Sequence, residues 1–79
     1  MAITRQLRLN DGTFLLEWKS ELGRTYYVQY SADMTTWKTA MPAITGTGTR
    51  QQWIDNGFPK TETLPSESAN RFYRIVLVS

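Results

Sequence analysis

Apolar side chains recur at every second position through most of the chain. Phe14, Leu16 and Trp18 share one parity; Leu15, Glu17 and Lys19 share the other. Tyr26, Val28 and Tyr30 then alternate with Tyr27, Gln29 and Ser31, and Tyr73, Ile75 and Leu77 alternate with Phe72, Arg74, Val76 and Val78. A period of two places successive side chains on opposite faces of a strand, so each run predicts a half-buried strand of an antiparallel sheet. Ile3, Leu7 and Leu9 share a parity against Gln6 and Arg8, which predicts a further strand near the start. Trp37–Met41 reads as a short strand ended by Pro42, and 49–55 as another with Trp53 facing inward.

Turn chemistry separates these runs. Asn10-Asp11-Gly12 predicts a tight hairpin. Glu21-Leu22-Gly23-Arg24, the polar stretch 32–36 and the pair Gly46 and Gly48 mark further connections, with Asp33 suited to binding its own backbone. Six strands result, and no segment has helical periodicity. Short strands at this spacing predict a small antiparallel β-sandwich or barrel. Its expected core is Leu16, Trp18, Tyr26, Val28, Tyr30, Tyr73 and Ile75.

Residues 56–70 differ. They carry Gly57, Pro59 and Pro65, several Ser and Thr, and few apolar anchors beyond Phe58 and Leu64. So long a connection in so small a domain is expected to be loosely held and open to binding.

Three pieces fall in a familiar order: Leu15-Leu16-Glu17-Trp18, Gly23 through Ser31, and Arg71-Phe72-Tyr73-Arg74-Ile75. With Asp33, Thr36-Trp37 and Trp53-Ile54-Asp55-Asn56-Gly57 between them, residues 13 to 78 resemble a fibronectin type III domain, of the immunoglobulin-like kind. The resemblance is closest to the short type III-like modules of large secreted bacterial proteins. It implies a Greek-key sandwich, Trp18 as the buried tryptophan of the second strand, Tyr73 as the core tyrosine of the sixth, and an extracellular or cell-surface setting within a longer protein. One departure carries a consequence. A type III domain has a further strand after the run that ends here at Val78, so the strand 72–78 is expected to keep one unpaired edge. Ile3–Leu9 already has a hairpin partner, so the edge is expected to be met by a neighbouring chain or domain.

Composition narrows the chemistry. Seventy-nine residues allow one domain. Histidine and cysteine are absent, which removes the commonest general base, the thiol nucleophile and the usual metal ligands. The acids sit mostly at turns, and Gly46-Thr47-Gly48 lacks the further glycine and the lysine of a phosphate loop. Asp33 and Asp55-Asn56 are expected to serve their turns rather than bind calcium. No catalytic residue, metal site or cofactor is expected.

The net charge of +2 comes from nine basic and seven acidic residues scattered along the chain, unlike the clustered face of a nucleic-acid binder. No run reaches the ~20 apolar residues of a membrane helix. The first ten residues lack the apolar core of an export signal.

The remaining functional signal lies in aromatic and aliphatic residues of outward parity. Tyr27, Phe72, Val76 and Val78 are candidates for an exposed binding patch. Trp37 and Trp53 read first as core, with Trp37 also kept as a binding candidate, and Phe58 joins it from the long connection. The expected function is a non-enzymatic accessory module that binds protein or glycan, or spaces domains. The alternative is a self-assembling structural subunit such as a virion or fibre decoration protein.

Overall fold

The structure, a computed structural model, describes residues 3–65 and 70–79. They form seven strands and no helix: β1 (Ile3–Arg8), β2 (Phe14–Lys19), β3 (Thr25–Ser31), β4 (Lys38–Thr39), β5 (Ile44–Thr45), β6 (Arg50–Asp55) and β7 (Phe72–Leu77). All pairings are antiparallel. The first sheet has the order β1-β2-β6. In the second, β3 is central, with β4 and β5 sharing one of its edges and β7 on the other. The pair β4 and β5, two residues each, divides what the sequence predicts as one short strand and a turn.

The sheets pack face to face through aromatic rings. Trp18 meets Tyr26 with centroids 6.0 Å apart, Trp53 meets Tyr73 at 6.3 Å, and Phe14 meets Tyr73 at 5.3 Å. Around them close Leu16, Val28, Tyr30, Ala40 and Ile75. Every residue of the expected core is buried, and Trp53 faces inward. Aromatic residues dominate because each removes a large apolar area, which a chain this short needs.

The β1–β2 hairpin turns at residues 10–12, where the Leu9 amide donates to the Thr13 carbonyl (2.9 Å) and the Gly12 amide to Leu9 (3.1 Å). Within it the simple alternation of β1 fails. Ile3 opposes Trp18, Arg5 opposes Glu17 and Leu7 opposes Leu15, so Thr4 is an extra residue, a β-bulge. Ile3 therefore packs on the core while Leu7, of the same sequence parity, lies on the outer face, 40% exposed. A one-residue offset exchanges the two faces of a strand.

Four residues, 46–49, join β5 to β6. So short a link brings the β4/β5 rim of one sheet beside the β6 rim of the other. The two remaining rims, β1 and β7, therefore lie on the side away from that link.

Residues 57–65 carry more hydrogen-bonded anchors than their composition suggests. The carboxylate of Asp55 is completely buried and organises them. It accepts from the Gly57 amide (3.1 Å), the Thr61 hydroxyl (2.7 Å), Arg71 Nη1 (2.9 Å) and the Tyr73 phenol (2.7 Å). The Glu62 amide donates to the Tyr30 phenol oxygen, and the Met41 amide donates to the Lys60 carbonyl. Residues 66–69 of the same connection lie outside the described residues.

Candidate functional site: the rim of β7

Polar groups could gather in one cavity, of about 230 Å³, lined by Tyr30, Ser31, Asp33, Lys38, Glu62 and Arg71 among others. Its charges are already engaged. The Lys38 ammonium, its pKa raised by the Glu62 carboxylate, forms an ion pair with it. Arg71 is taken up by Asp55 and the Thr63 carbonyl. Asp33 accepts the amides of Thr35 and Thr36, both at 2.9 Å, and these bonds hold its carboxyl well below the usual carboxylate range. Asp33 and Asp55 thus each organise their own turn, and among the described residues no three acidic groups converge as metal ligands would.

The more informative feature is a strand edge. The Val78 amide donates to the Thr25 carbonyl (2.8 Å), which fixes the phase of the β3–β7 ladder. In an antiparallel pair alternate residues point their N–H and C=O toward the partner. Phe72, Arg74 and Val76 therefore bond to β3, and Tyr73, Ile75 and Leu77 point theirs to the far side. No strand lies there among the described residues. Leu77 shares the inward parity of Tyr73 and Ile75 yet is 40% exposed, so the sequence expectation that it faces the core holds for its direction and fails for its burial. The same opening appears in the other sheet. Gln6 and Arg8 oppose Leu16 and Phe14 on the inner face of β1, and both are exposed.

The remaining rims are blunted. The β1 rim carries the bulge at Thr4 with Arg5 and Arg8. At β6, Lys60 Nζ donates to the Ile54 carbonyl (2.8 Å), one of the outward-pointing groups, and Arg50 flanks it. The β4 and β5 segments are two residues long with Pro42 between them. Such devices discourage pairing with another chain. The β7 rim is blunted only past its end, where Val78 and Ser79 both oppose Thr25 in a bulge; after Arg74 the strand itself is uncharged, and it contains no proline.

Arg74 itself is drawn away from the rim. Its Nε donates to Gln29 Oε1 on β3 (2.7 Å), and its guanidinium lies 4.2 Å from the centre of the Trp37 ring. This places Trp37 on the outer face of the second sheet, half-buried under Arg74, and corrects its reading as core. No family model, curated protein or solved structure matches this chain.

That face holds five of the six predicted binding residues. Tyr27 opposes Val76 across the β3–β7 pair, Phe72 opposes Ser31, and Val78 follows at the strand end. Trp37 completes the row beyond Gln29 and Arg74. Phe58 is not among them: it projects from the turn after β6, 84% exposed and apart from the others. Outward parity alone locates the face. The rim was legible only through the resemblance, because a strand's unpaired side leaves no mark in alternation.

Proposed function

We propose that the chain is a non-enzymatic binding module, related in architecture to fibronectin type III domains, that takes up an extended polypeptide strand along the open side of β7. The observation that carries this reading is the contrast between rims: three are blunted along their length by bulge, charge or shortness, whereas β7, whose bulge lies past its end at Val78 and Ser79, is left apolar after Arg74. An incoming strand would complete the hydrogen bonds of Tyr73, Ile75 and Leu77 and would cover the inner surface now exposed at Leu77, Gln6 and Arg8. Strand addition of this kind draws affinity from main-chain bonds and selectivity from alternate side chains. The row Tyr27, Val76, Phe72 and Trp37 would supply part of that selectivity on the outer face.

The reading favours protein over glycan, because a strand rim recognises backbone. It favours no turnover, since the buried carboxylates among the described residues, Asp55 and Glu17, both accept hydrogen bonds from structural partners. A setting within a secreted or surface protein follows from the type III resemblance alone.

Amide exchange in dilute solution tests it. The amides of Tyr73, Ile75 and Leu77 should exchange much faster than those of Arg74, Val76 and Val78 on the same strand. Equal protection of both sets in the monomer would mean that the rim is closed internally, and the reading would fail.

A further inference from the structure

Building on the open-rim reading, we infer that the strand which occupies the rim is β7 of a second copy of this chain, paired antiparallel about a twofold axis at Ile75.

The outward-pointing residues are 73, 75 and 77, so a self-paired rim must match these groups with one another. Three registers match more than one of them. With Arg74 on the axis, Arg74 of each chain faces Arg74 of the other, a like-charge contact that opposes pairing. With Val76 on the axis, fewer of the outward groups find partners. With Ile75 on the axis all of them do: Tyr73 bonds Leu77, Ile75 bonds Ile75, and Leu77 bonds Tyr73. An isologous contact of this kind is self-complementary and closes at two copies.

The side chains agree with that register. On the inner face Tyr73 meets Leu77 and Ile75 meets Ile75, so the half-exposed Leu77 gains an aromatic neighbour. On the outer face Phe72 meets Val78 and Arg74 meets Val76. The one charge on the strand already folds back over Trp37 and Gln29. In this register it meets Val76 and no second charge, which an identical strand provides. The two four-stranded sheets would merge into one continuous sheet.

The register supplies its own test. Because Val76 faces Arg74 of the other copy, Val76→Glu places two opposite-charge pairs in the seam and Val76→Lys two like-charge pairs, with neither substitution touching the core. Sedimentation equilibrium at low salt should show a dimer that Val76→Glu tightens several-fold and Val76→Lys weakens several-fold. Leu77→Pro, which removes an outward N–H and spares the bonds to β3, should give a folded monomer. Single-cysteine variants of this cysteine-free chain provide a second readout: a mixture of Arg74→Cys and Val76→Cys should form the mixed disulfide in preference to either symmetric one.

A dimer indifferent to the sign of charge at residue 76 would overturn the register. A monomer at high concentration whose Tyr73, Ile75 and Leu77 amides exchange fast would overturn the second copy as occupant and leave the rim open to a different strand. A monomer in which those amides are protected would overturn both this inference and the reading beneath it.

Discussion

The phenol of Tyr73 on β7 donates to Oδ2 of Asp55 on β6 at 2.7 Å, tying the two sheets together inside the core. The same oxygen accepts from Arg71, and the other from Thr61 and Gly57. A buried carboxylate is costly to desolvate, and a full set of donors offsets that cost. Removing it strands the nearly buried Arg71 guanidinium. Asp55→Ala should therefore cost about 3–5 kcal/mol. Tyr73→Phe, which keeps the ring against Phe14 and Trp53, should cost about 1–3 kcal/mol. Urea unfolding measures both. An Asp55→Ala variant as stable as the parent would mean that the cluster is incidental.

Trp18 is fully buried, yet its indole nitrogen has no hydrogen-bond partner among the described residues. An orphaned buried donor costs about 1–3 kcal/mol, which offsets part of what the ring contributes. Trp18→Ala should lose on the order of 3–5 kcal/mol. Trp18→Phe gives up the donor together with some volume, and should lose less than about half as much. Equal losses for the two variants would show that ring volume alone decides at this position.

The alternation that predicts Leu16, Trp18, Tyr26, Val28, Tyr30, Tyr73 and Ile75 as core does so because burial of one sheet face is a local, period-two property. What it misreads depends on partners elsewhere in the chain. Leu7 changes face because of a single extra residue at Thr4, and a bulge is defined by the opposing strand. Asp55 looks like a turn acid because its donors Thr61, Arg71 and Tyr73 are distant in sequence. Trp37 reads as core by its type and is held outside by Arg74. The candidate face was legible from the parity of Tyr27, Phe72, Val76 and Val78, whereas Phe58, 84% exposed, belongs to the turn after β6 and not to that face.

The pH dependence follows from two groups of opposite sign. Backbone amides of Thr36 and Thr35 hold the Asp33 carboxyl well below its ordinary value. A depressed pKa gives stability that is present above the unfolded value, about 3.9, and is lost as pH falls below it. Asp33→Asn keeps the acceptor and removes the charge, so its deficit in melting temperature should shrink as pH drops from neutral toward 3. Burial, and then the bond to Asp55, pushes the Tyr73 phenol upward. A raised pKa gives stability that is present below the unfolded value, about 10, and is lost above it. The melting-temperature deficit of Tyr73→Phe should therefore shrink as pH rises above about 10. A deficit for Asp33→Asn that stays constant across the acid range would remove the charge from the account.

Two glycines at the opposite rim should fail for different reasons, and the difference is measurable. Gly23 has a φ of +76°, and a Cβ built there meets nothing within 4 Å. The cost of a side chain is then only the left-handed backbone, roughly 1–2 kcal/mol for alanine and less for asparagine, which tolerates that region. At Gly46 a Cβ would stand 2.0 Å from the Glu21 carbonyl oxygen, and backbone cannot swing aside as a side chain can. The Gly46 amide also donates to Arg24 (2.8 Å), and its carbonyl accepts from Gly23 (3.2 Å), so displacing it loosens the link that holds β5 beside β6. Gly46→Ala should cost about 3 kcal/mol or more, at the upper end of overpacking. Thermal melts should rank Gly23→Asn nearest the parent, Gly23→Ala below it and Gly46→Ala lowest. Because a steric conflict with backbone is blind to conformational preference, Gly46→Asn should fail as badly as Gly46→Ala. Recovery of stability by asparagine at 46, as at 23, would show that close approach of the chain there is not what demands glycine.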